Sequence, residues 1–232
     1  ALTLRSNAMP SAATPDLSEP MTVGEIAAAL AGASAVFRRH KIDFCCGGDV
    51  PLEVAARERG IEPELLRAEL AALEQVPTDA PHESNDLVAY ILSRYHDTHR
   101  RELAELRLLA GKVEAVHRAH PEVPAGLAQL LEQAQHELED HMRKEEQILF
   151  PAIRSGFKGS LFGPITVMRH EHASHAELIH ELQAVCRDFA LPQDACRSWQ
   201  GLYRGVEKLV TDLMEHINLE NTVLFPRFEH SR

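Results

Sequence analysis

The sequence of 232 residues has few cysteines, few aromatic residues and a shortage of positive charge. Four cysteines are too few for the disulfide framework of a secreted protein of this length, so a reducing, cytoplasmic compartment is expected. Lys and Arg total 24 against 35 Asp and Glu, a formal charge of −11, which argues against nucleic acid or an anionic membrane as a partner. No apolar run approaches the roughly 18 residues of a membrane span, and the N-terminal segment lacks the order of a secretion signal.

Histidine, in contrast, is abundant. The chain has 14 histidines but only 8 Phe, 3 Tyr and 1 Trp, and imidazole is the commonest metal ligand in proteins. The excess therefore points to a chemical role. Alternating apolar runs bounded by turn residues, which would indicate strands, do not occur. We predict an all-α protein.

The chain divides into a tail, a small helical domain and a larger one. Residues 1–20 begin with ALTLRSNAM, interpreted as an expression-vector remnant, and continue without apolar periodicity, so a disordered tail is expected. The small domain is predicted over 21–76. The Pro-containing segment PTDAPHESN marks a boundary, and the larger domain is predicted over 86–228.

Helices are predicted throughout both domains. In the small domain, Thr22 and Glu25 have the spacing of a capping box, which opens one helix that runs to about Arg39. A loop with two cysteines and two shorter helices follow. The larger domain has four long amphipathic segments, which are expected to pack as a four-helix bundle. They lie at about 86–118, 124–150, 161–189 and 194–225.

The larger domain contains an internal duplication. The segments HMRKEEQILFPAI from His141 and HINLENTVLFPRF from His216 share the pattern H-x-x-x-E-x-x-x-L-F-P. A helix with H-x-x-H precedes each of them at nearly the same offset. The domain is therefore predicted to be a repeated helical hairpin. The H-x-x-H pairs are His96 with His99, and His172 with His175.

Helical periodicity places these polar residues on apolar faces. In the second long helix the stripe Leu138, His141, Glu145, Ile148 selects Glu145 rather than Glu146. Buried carboxylates without partners cost several kcal/mol each, and two in one core would also repel each other, so a pair of cations is expected among them. Iron suits these ligand types, and manganese or zinc fit nearly as well. The predicted metal ligands are His96, His141, Glu145, His172, His216 and Glu220.

Four further residues lie close to this set. His99 and His175 share the apolar stripes and are either outer partners of the ligands or an additional ligand. Glu137 and Glu171 lie within one turn of ligands, where they could line an access path or be solvated helix residues.

The order H … HxxxE … H … HxxxE resembles that of hemerythrin-like domains, and the segments MTVGEIAA and FCCGGD resemble the repair-of-iron-centres family of di-iron proteins. The resemblance covers essentially residues 21–228. It implies a C-terminal four-helix hemerythrin-like bundle after a small helical domain, with the same six ligands. It also implies two iron ions bridged by an oxo or hydroxo group and by Glu145 and Glu220, with Glu137 and Glu171 near the iron path.

This family resemblance implies repair or supply of iron at iron–sulfur clusters damaged by oxidative or nitrosative stress. The chain offers four assured histidines where oxygen-carrying hemerythrins use five, so the iron is expected to be more open and more easily lost. Reduction of nitric oxide by the di-iron centre is the alternative, and a gas sensor ranks last. Expected partners are damaged iron–sulfur proteins and small gases such as nitric oxide and oxygen, and the chain is expected to be a monomer or homodimer.

The cysteines divide into a pair and two single residues. Cys45 and Cys46 in FCCGG could be a soft iron ligand, a docking handle or a redox switch, or they could belong to a structural loop. Together with Glu137 and Glu171 they are the candidates for chemistry beyond metal binding. Cys186 falls on the apolar stripe of the third long helix and is expected in the core, whereas Cys196 opens the fourth without a ligand-like neighbour.

Overall fold

Helices account for all the regular structure of the described residues. The computed structural model describes residues 15–17, 19–157 and 159–229. In these ranges no strand forms apart from two isolated bridges, which confirms the all-α prediction. Over the same ranges, no helix combines the length and apolar character that crossing a bilayer requires.

The predicted tail lies mostly outside the described residues. Its described part contacts the folded chain, because Leu17 packs against the hydrophobic core. The Leu17 carbonyl also accepts a hydrogen bond from the guanidinium of Arg67.

Four short helices form the N-terminal part of the chain: α1 (Val23–Ala29), α2 (Ala33–Arg39), α3 (Leu52–Glu58) and α4 (Pro63–Ala71). The predicted capping box is confirmed, since the Thr22 hydroxyl accepts from the Glu25 amide and the Glu25 carboxylate accepts from the Thr22 amide. The prediction of a single helix to Arg39 is wrong. Leu30 is extended and pairs with Pro77, and Gly32 takes a left-handed conformation with φ 88°, so the chain starts a new helix there.

The second part of the chain is built from four long helices. Three of them contain a π-helical segment in which the helix widens by one residue. The first consists of α5 (Ser84–Ile91), a π segment (Leu92–His96) and α6 (Asp97–Val116). The second consists of α7 (Leu127–Lys144), a π segment (Glu145–Leu149) and α8 (Phe150–Arg154). The third is α9 (Phe162–Val185), and the fourth is α10 (Arg197–Asn218) with a π segment (Leu219–Leu224) before α11 (Pro226–Glu229).

The π segments correct the predicted apolar face of the second long helix. Ile148, predicted to point inward, is 61% exposed, whereas Leu149 is 2% exposed. The extra residue in the turn that begins at Glu145 rotates the following side chains by one position. Glu145 itself lies upstream of this rotation and is fully buried, as its stripe predicted.

The buried apolar side chains of the bundle form two clusters with a polar belt between them. One cluster joins the N-terminal helices to α7, to α10 and to the C-terminal halves of α6 and α9. The other fills the opposite end of the bundle, around Tyr95, Phe150 and Phe225. The belt between them consists of His96, His99, His141, Glu145, His172, His175, His216 and Glu220, all of which are buried.

The N-terminal helices dock beside this belt. The helix α1 contacts α10 and the π segment that follows it. Asn218 donates to the carbonyl of Gly24 at 3.0 Å. A β-carbon at Gly24 would lie 2.8 Å from both the Gly48 carbonyl and the Thr222 hydroxyl, so this approach requires glycine.

Candidate metal centre

The six predicted ligands come together in the belt as two groups that share both glutamates. Half-site 1 contains His96 and His216, and half-site 2 contains His141 and His172; Glu145 and Glu220 belong to both. Within each group the potential ligand atoms all lie within 4.8 Å of one another. The duplicated hairpins therefore produce two adjacent sites.

Each carboxylate presents one oxygen to each half-site. Glu145 Oε2 lies 3.4 Å from His96 Nε2, and its Oε1 lies 3.4 Å from His141 Nε2. Glu220 Oε1 lies 3.2 Å from His216 Nε2, and its Oε2 lies 3.1 Å from His172 Nε2. This arrangement fits two carboxylates that bridge a pair of ions.

The imidazole nitrogens also face each other as they would around a shared cation. In half-site 1 the two Nε2 atoms are 3.2 Å apart, and in half-site 2 they are 3.1 Å apart. Two nitrogens that each lie about 2.1 Å from one ion would be about 3.0 Å apart at a right angle and about 3.4 Å apart at the tetrahedral angle. The donor set therefore has the spacing that a metal ion requires.

The carboxylates need such a cation. Both oxygens of Glu145 and Oε2 of Glu220 are buried without a well-formed hydrogen bond. Burial and mutual repulsion alone would raise the pKa of Glu145, yet the surrounding imidazoles outweigh both effects and lower it. The pKa of Glu220 is likewise lowered well below its ordinary value by His216 and His172, against the effect of burial. Two ionised, underbonded carboxylates in one core are what a pair of cations would neutralise.

Outer hydrogen bonds orient three of the four histidines. His96 Nδ1 donates to Glu146 at 2.8 Å, and His141 Nδ1 donates to Glu171 at 2.9 Å. His172 Nδ1 lies 2.9 Å from the side-chain oxygen of Asn221. Each of these bonds leaves Nε2 available to the half-site, which is the arrangement found around metal-binding histidines.

Two of these outer partners were missed in the sequence. Glu146 was set aside because the stripe selected its neighbour, and Asn221 was not considered. Both directly follow a glutamate that belongs to both donor groups, at equivalent positions of the duplication, and each contacts a histidine on the first helix of its own hairpin. That repeat position was the available signal.

The two candidate acids, Glu171 and Glu137, have different surroundings in the structure. Glu171 bonds to His141 and forms an ion pair with Lys144. The hydrogen bond from His141 lowers the pKa of Glu171 to about 2, although partial burial opposes this shift. Glu137 accepts a hydrogen bond from Gln133 on its own helix at 2.8 Å and is not part of either group.

His99 and His175 flank the centre without joining either donor group. The His99 ring lies 5.4 Å from that of His216, and the His175 ring lies 4.8 Å from that of His141. Both nitrogens of His99 and Nδ1 of His175 are buried without a partner. Burial lowers the pKa of His99 well below its ordinary value and that of His175 to about 3, so both rings are neutral.

The cysteine loop lies against half-site 2. Asp43 holds the loop, since one carboxylate oxygen accepts from the amides of Cys45 and Cys46 at 3.0 Å and the other accepts from Gly47 at 3.0 Å. Cys45 is buried, and the neighbouring Cys46 thiol together with burial raises its pKa. The exposed Cys46 donates from Sγ to the carbonyl of His172 at 3.4 Å.

The remaining cysteines lie at helix ends, Cys186 after α9 and Cys196 before α10. Cys186 is buried in the core, as predicted. The expectation that Cys196 has no ligand-like neighbour is wrong, because His117 Nε2 lies 3.1 Å from its sulfur. His117 ends α6, and only the packing of α6 against α10 brings it to this thiol.

Comparisons with known proteins agree with this arrangement. Residues 87–228 match the hemerythrin HHE cation binding domain, and residues 19–74 match a domain of unknown function, DUF542. The iron-sulfur cluster repair protein YtfE of Escherichia coli O17:K52:H18 (strain UMN026) is 44% identical over 208 residues, which cover 88% of this chain and 94% of that protein. The proteins of the same name from Shigella boydii serotype 4 and Citrobacter koseri are each 43% identical over the same shares. The chain therefore belongs to the family of iron–sulfur cluster repair proteins with a hemerythrin-type domain, as its motifs suggested.

Proposed function

We propose that this protein binds two iron ions, one at each half-site, and uses this iron to repair or resupply iron–sulfur clusters damaged by oxidative or nitrosative stress. One observation carries the proposal: Glu145 and Glu220 are buried without adequate partners, and each directs one oxygen to each half-site. Imidazole and carboxylate ligands also suit manganese and zinc. The names of the relatives favour iron and give the cluster-repair role.

The number of protein donors at each half-site supports a bound ion that can dissociate. Two histidines and two shared carboxylates give each half-site four protein donors. Iron in imidazole and carboxylate sites commonly keeps further positions open. When bound, the iron pair supplies two redox-active Lewis acids with positions available to water or a small ligand. The oxo or hydroxo bridge that the family resemblance implies stays a prediction.

The rest of the chain has a proposed role in delivery. We assign 21–76 to docking and 86–228 to the iron centre, with damaged iron–sulfur proteins as partners. The four cysteines are all free, which agrees with a cytoplasmic, reducing compartment. The exposed Cys46 is the thiol available to an acceptor protein or its cluster.

A second function rests on the open positions. Nitric oxide or oxygen could bind there, and reduction of nitric oxide is the enzyme activity that such a site favours. In that case Glu171, hydrogen-bonded to His141 at 2.9 Å, is a carboxylate placed to relay protons toward the centre.

Anaerobic reconstitution of the full chain tests both functions. We expect two iron ions per chain, and transfer of iron to an iron-depleted [4Fe–4S] acceptor protein that regains its cluster when sulfide is supplied. A single-turnover reaction with nitric oxide, followed by quantification of nitrous oxide, tests the second function. Stoichiometric nitrous oxide without iron transfer would replace cluster repair by nitric oxide reduction. Failure to bind iron would refute both, and light scattering on the same samples distinguishes a monomer from a homodimer.

A further inference from the structure

The two outer partners Glu146 and Asn221 occupy equivalent positions of the duplication but are held differently. Each follows one of the two shared glutamates, and each accepts a hydrogen bond from Nδ1 of a histidine on the other helix of its own hairpin. Glu146 is fixed by the guanidinium of Arg100 at 2.9 and 3.1 Å. Asn221 instead donates from Nδ2 to the carbonyl of Cys45 at 3.0 Å. The support of His96 therefore lies within the bundle, whereas the support of His172 in half-site 2 depends on the cysteine loop.

The contact with Cys45 determines the orientation of the whole chain of hydrogen bonds. A backbone carbonyl only accepts, so the amide nitrogen of Asn221 must face Cys45 and its oxygen must face His172. His172 Nδ1 must then be the protonated nitrogen, which leaves Nε2 unprotonated toward half-site 2. A loop that moves away would release the Asn221 amide to rotate, and the tautomer of His172 would no longer be fixed.

A second contact joins the same loop to the same histidine. The Cys46 thiol donates to the backbone carbonyl of His172. Because the Asp43 carboxylate binds the amides of Cys45, Cys46 and Gly47, the loop moves as one unit. A change at the exposed Cys46 thiol would therefore reach Asn221 through the loop.

We propose that Asn221 is a positioning residue through which the FCCGG loop controls how firmly His172 holds its metal, so that the ion at half-site 2 is the one retained or released. This inference rests on the proposed iron centre. A carboxylate at this position would hold His172 by charge whether or not the loop was docked, as Glu146 holds His96. The neutral amide makes that support conditional on the loop.

Asn218 offers a matched control. It lies one turn before Asn221 on the same helix, and its side chain also donates to a carbonyl of the N-terminal part, that of Gly24. It does not contact any of the six candidate ligands through a hydrogen bond that the structure shows. Asn218→Ala therefore removes a docking bond of the same kind without touching His172.

The experiment measures iron release from the reconstituted full chain to a ferrous chelator, for wild type, Asn221→Ala, Asn221→Asp and Asn218→Ala. We expect Asn221→Ala to release one iron per chain about 10- to 100-fold faster, the usual effect of losing an outer partner of a metal ligand. Release of the second iron should not change, and Mössbauer spectra should show one altered iron environment. Asn218→Ala should release both ions at the wild-type rates.

The aspartate variant separates the two contacts of Asn221. Asp retains an acceptor for His172 but cannot donate to Cys45, so slow release should return. Alkylation of Cys46 by iodoacetamide, which forms an S–C bond and releases iodide, should accelerate release of one iron in wild type but not in Asn221→Asp. Circular dichroism establishes that each variant is folded, and this pair decides the question if Asn221→Ala does not fold.

Three results would overturn the inference: equal release from the two alanine variants, acceleration of both ions by Asn221→Ala, or an alkylation effect that persists in Asn221→Asp. A wild-type chain that binds no iron would instead refute the proposed function, so the two failures are distinguishable.

Discussion

Replacement of Glu145 by Gln tests the proposed bridging of the two half-sites by this residue. The side chain is fully buried and its two oxygens point to different half-sites, so the loss of its charge should weaken the binding of both ions. Loss of an outer partner typically costs 10- to 100-fold in metal affinity, and a direct ligand should cost at least the upper end of that range. We therefore expect affinity to fall at least about 100-fold.

The same substitution should leave the metal-free protein folded. Without metal, Glu145 and Glu220 are two buried carboxylates that repel each other, and removing one charge relieves both the repulsion and the desolvation cost. The lost attraction to His141 offsets this gain. We expect the free energy of unfolding of the metal-free form to change by less than about 2 kcal/mol.

Thermal unfolding with and without ferrous iron, together with iron analysis after desalting, measures both effects. Iron at 1,000 times its Kd stabilises a folded protein by about 4.1 kcal/mol per site, and a 100-fold weaker site loses about 2.7 kcal/mol of this. Because Glu145 faces both half-sites, the loss over two sites is about 5.4 kcal/mol, which for a chain of this size corresponds to a Tm about 11–22 °C lower in the presence of iron. Glu137→Gln, two turns earlier on the same helix, is the control and should behave as wild type. Retention of two iron ions by Glu145→Gln, with an unchanged iron-dependent Tm, would refute the bridging assignment.

Three further variants test the surrounding structure. Gly24→Val should reduce stability by about 2–4 kcal/mol in chemical denaturation, because any β-carbon there meets oxygens 2.8 Å away; wild-type stability would contradict the tight docking. Burial alone would raise the pKa of Asp212, but hydrogen bonds, chiefly from Arg94, lower it. The ionised Asp212 carboxylate therefore stabilises the folded state above the unfolded pKa of about 3.9, and this stabilisation is lost as the pH falls through the folded pKa. Asp212→Asn should thus cost about 1–3 kcal/mol at pH 7 and less at pH 3, and a loss independent of pH would exclude an ionic contribution. Serine at both Cys45 and Cys46 should leave two iron ions per chain while slowing transfer to an acceptor; lower iron content would assign the thiols to metal binding.

The positions of the six candidate ligands could be predicted because each depends on one helix and one repeat. A polar residue inside an apolar stripe points inward wherever the helix is regular, and the duplication supplies a second copy of each observation. His172 and His216 are both buried at the expected positions. The prediction of the buried face of the second long helix was wrong at Ile148, because the helix is no longer regular there.

Contacts that depend on the packing of separate elements could not be predicted in this way. Asn221 bonds to a loop that is 176 residues away in the sequence. His117 reaches Cys196 across 79 residues, and no local pattern marks that contact. The helix break at Leu30 depends on a pairing with Pro77, so the continuous apolar pattern of the sequence did not indicate it.

The π segments explain the second half of the duplicated motif H-x-x-x-E-x-x-x-L-F-P. In a regular helix, the residues three and four positions after the glutamate would share its inward face. In both copies the buried pair is instead the Leu and Phe four and five positions on, because the glutamate lies at or near the start of a π turn. This register places Phe150 against the ring of His96 at 5.7 Å and Phe225 against the ring of His172 at 5.8 Å, each on the first helix of the same hairpin. The glutamate, the π turn and the phenylalanine thus form one unit in each hairpin: the glutamate faces both half-sites, the π turn shifts the helix face, and the phenylalanine packs against the histidine on the hairpin's first helix.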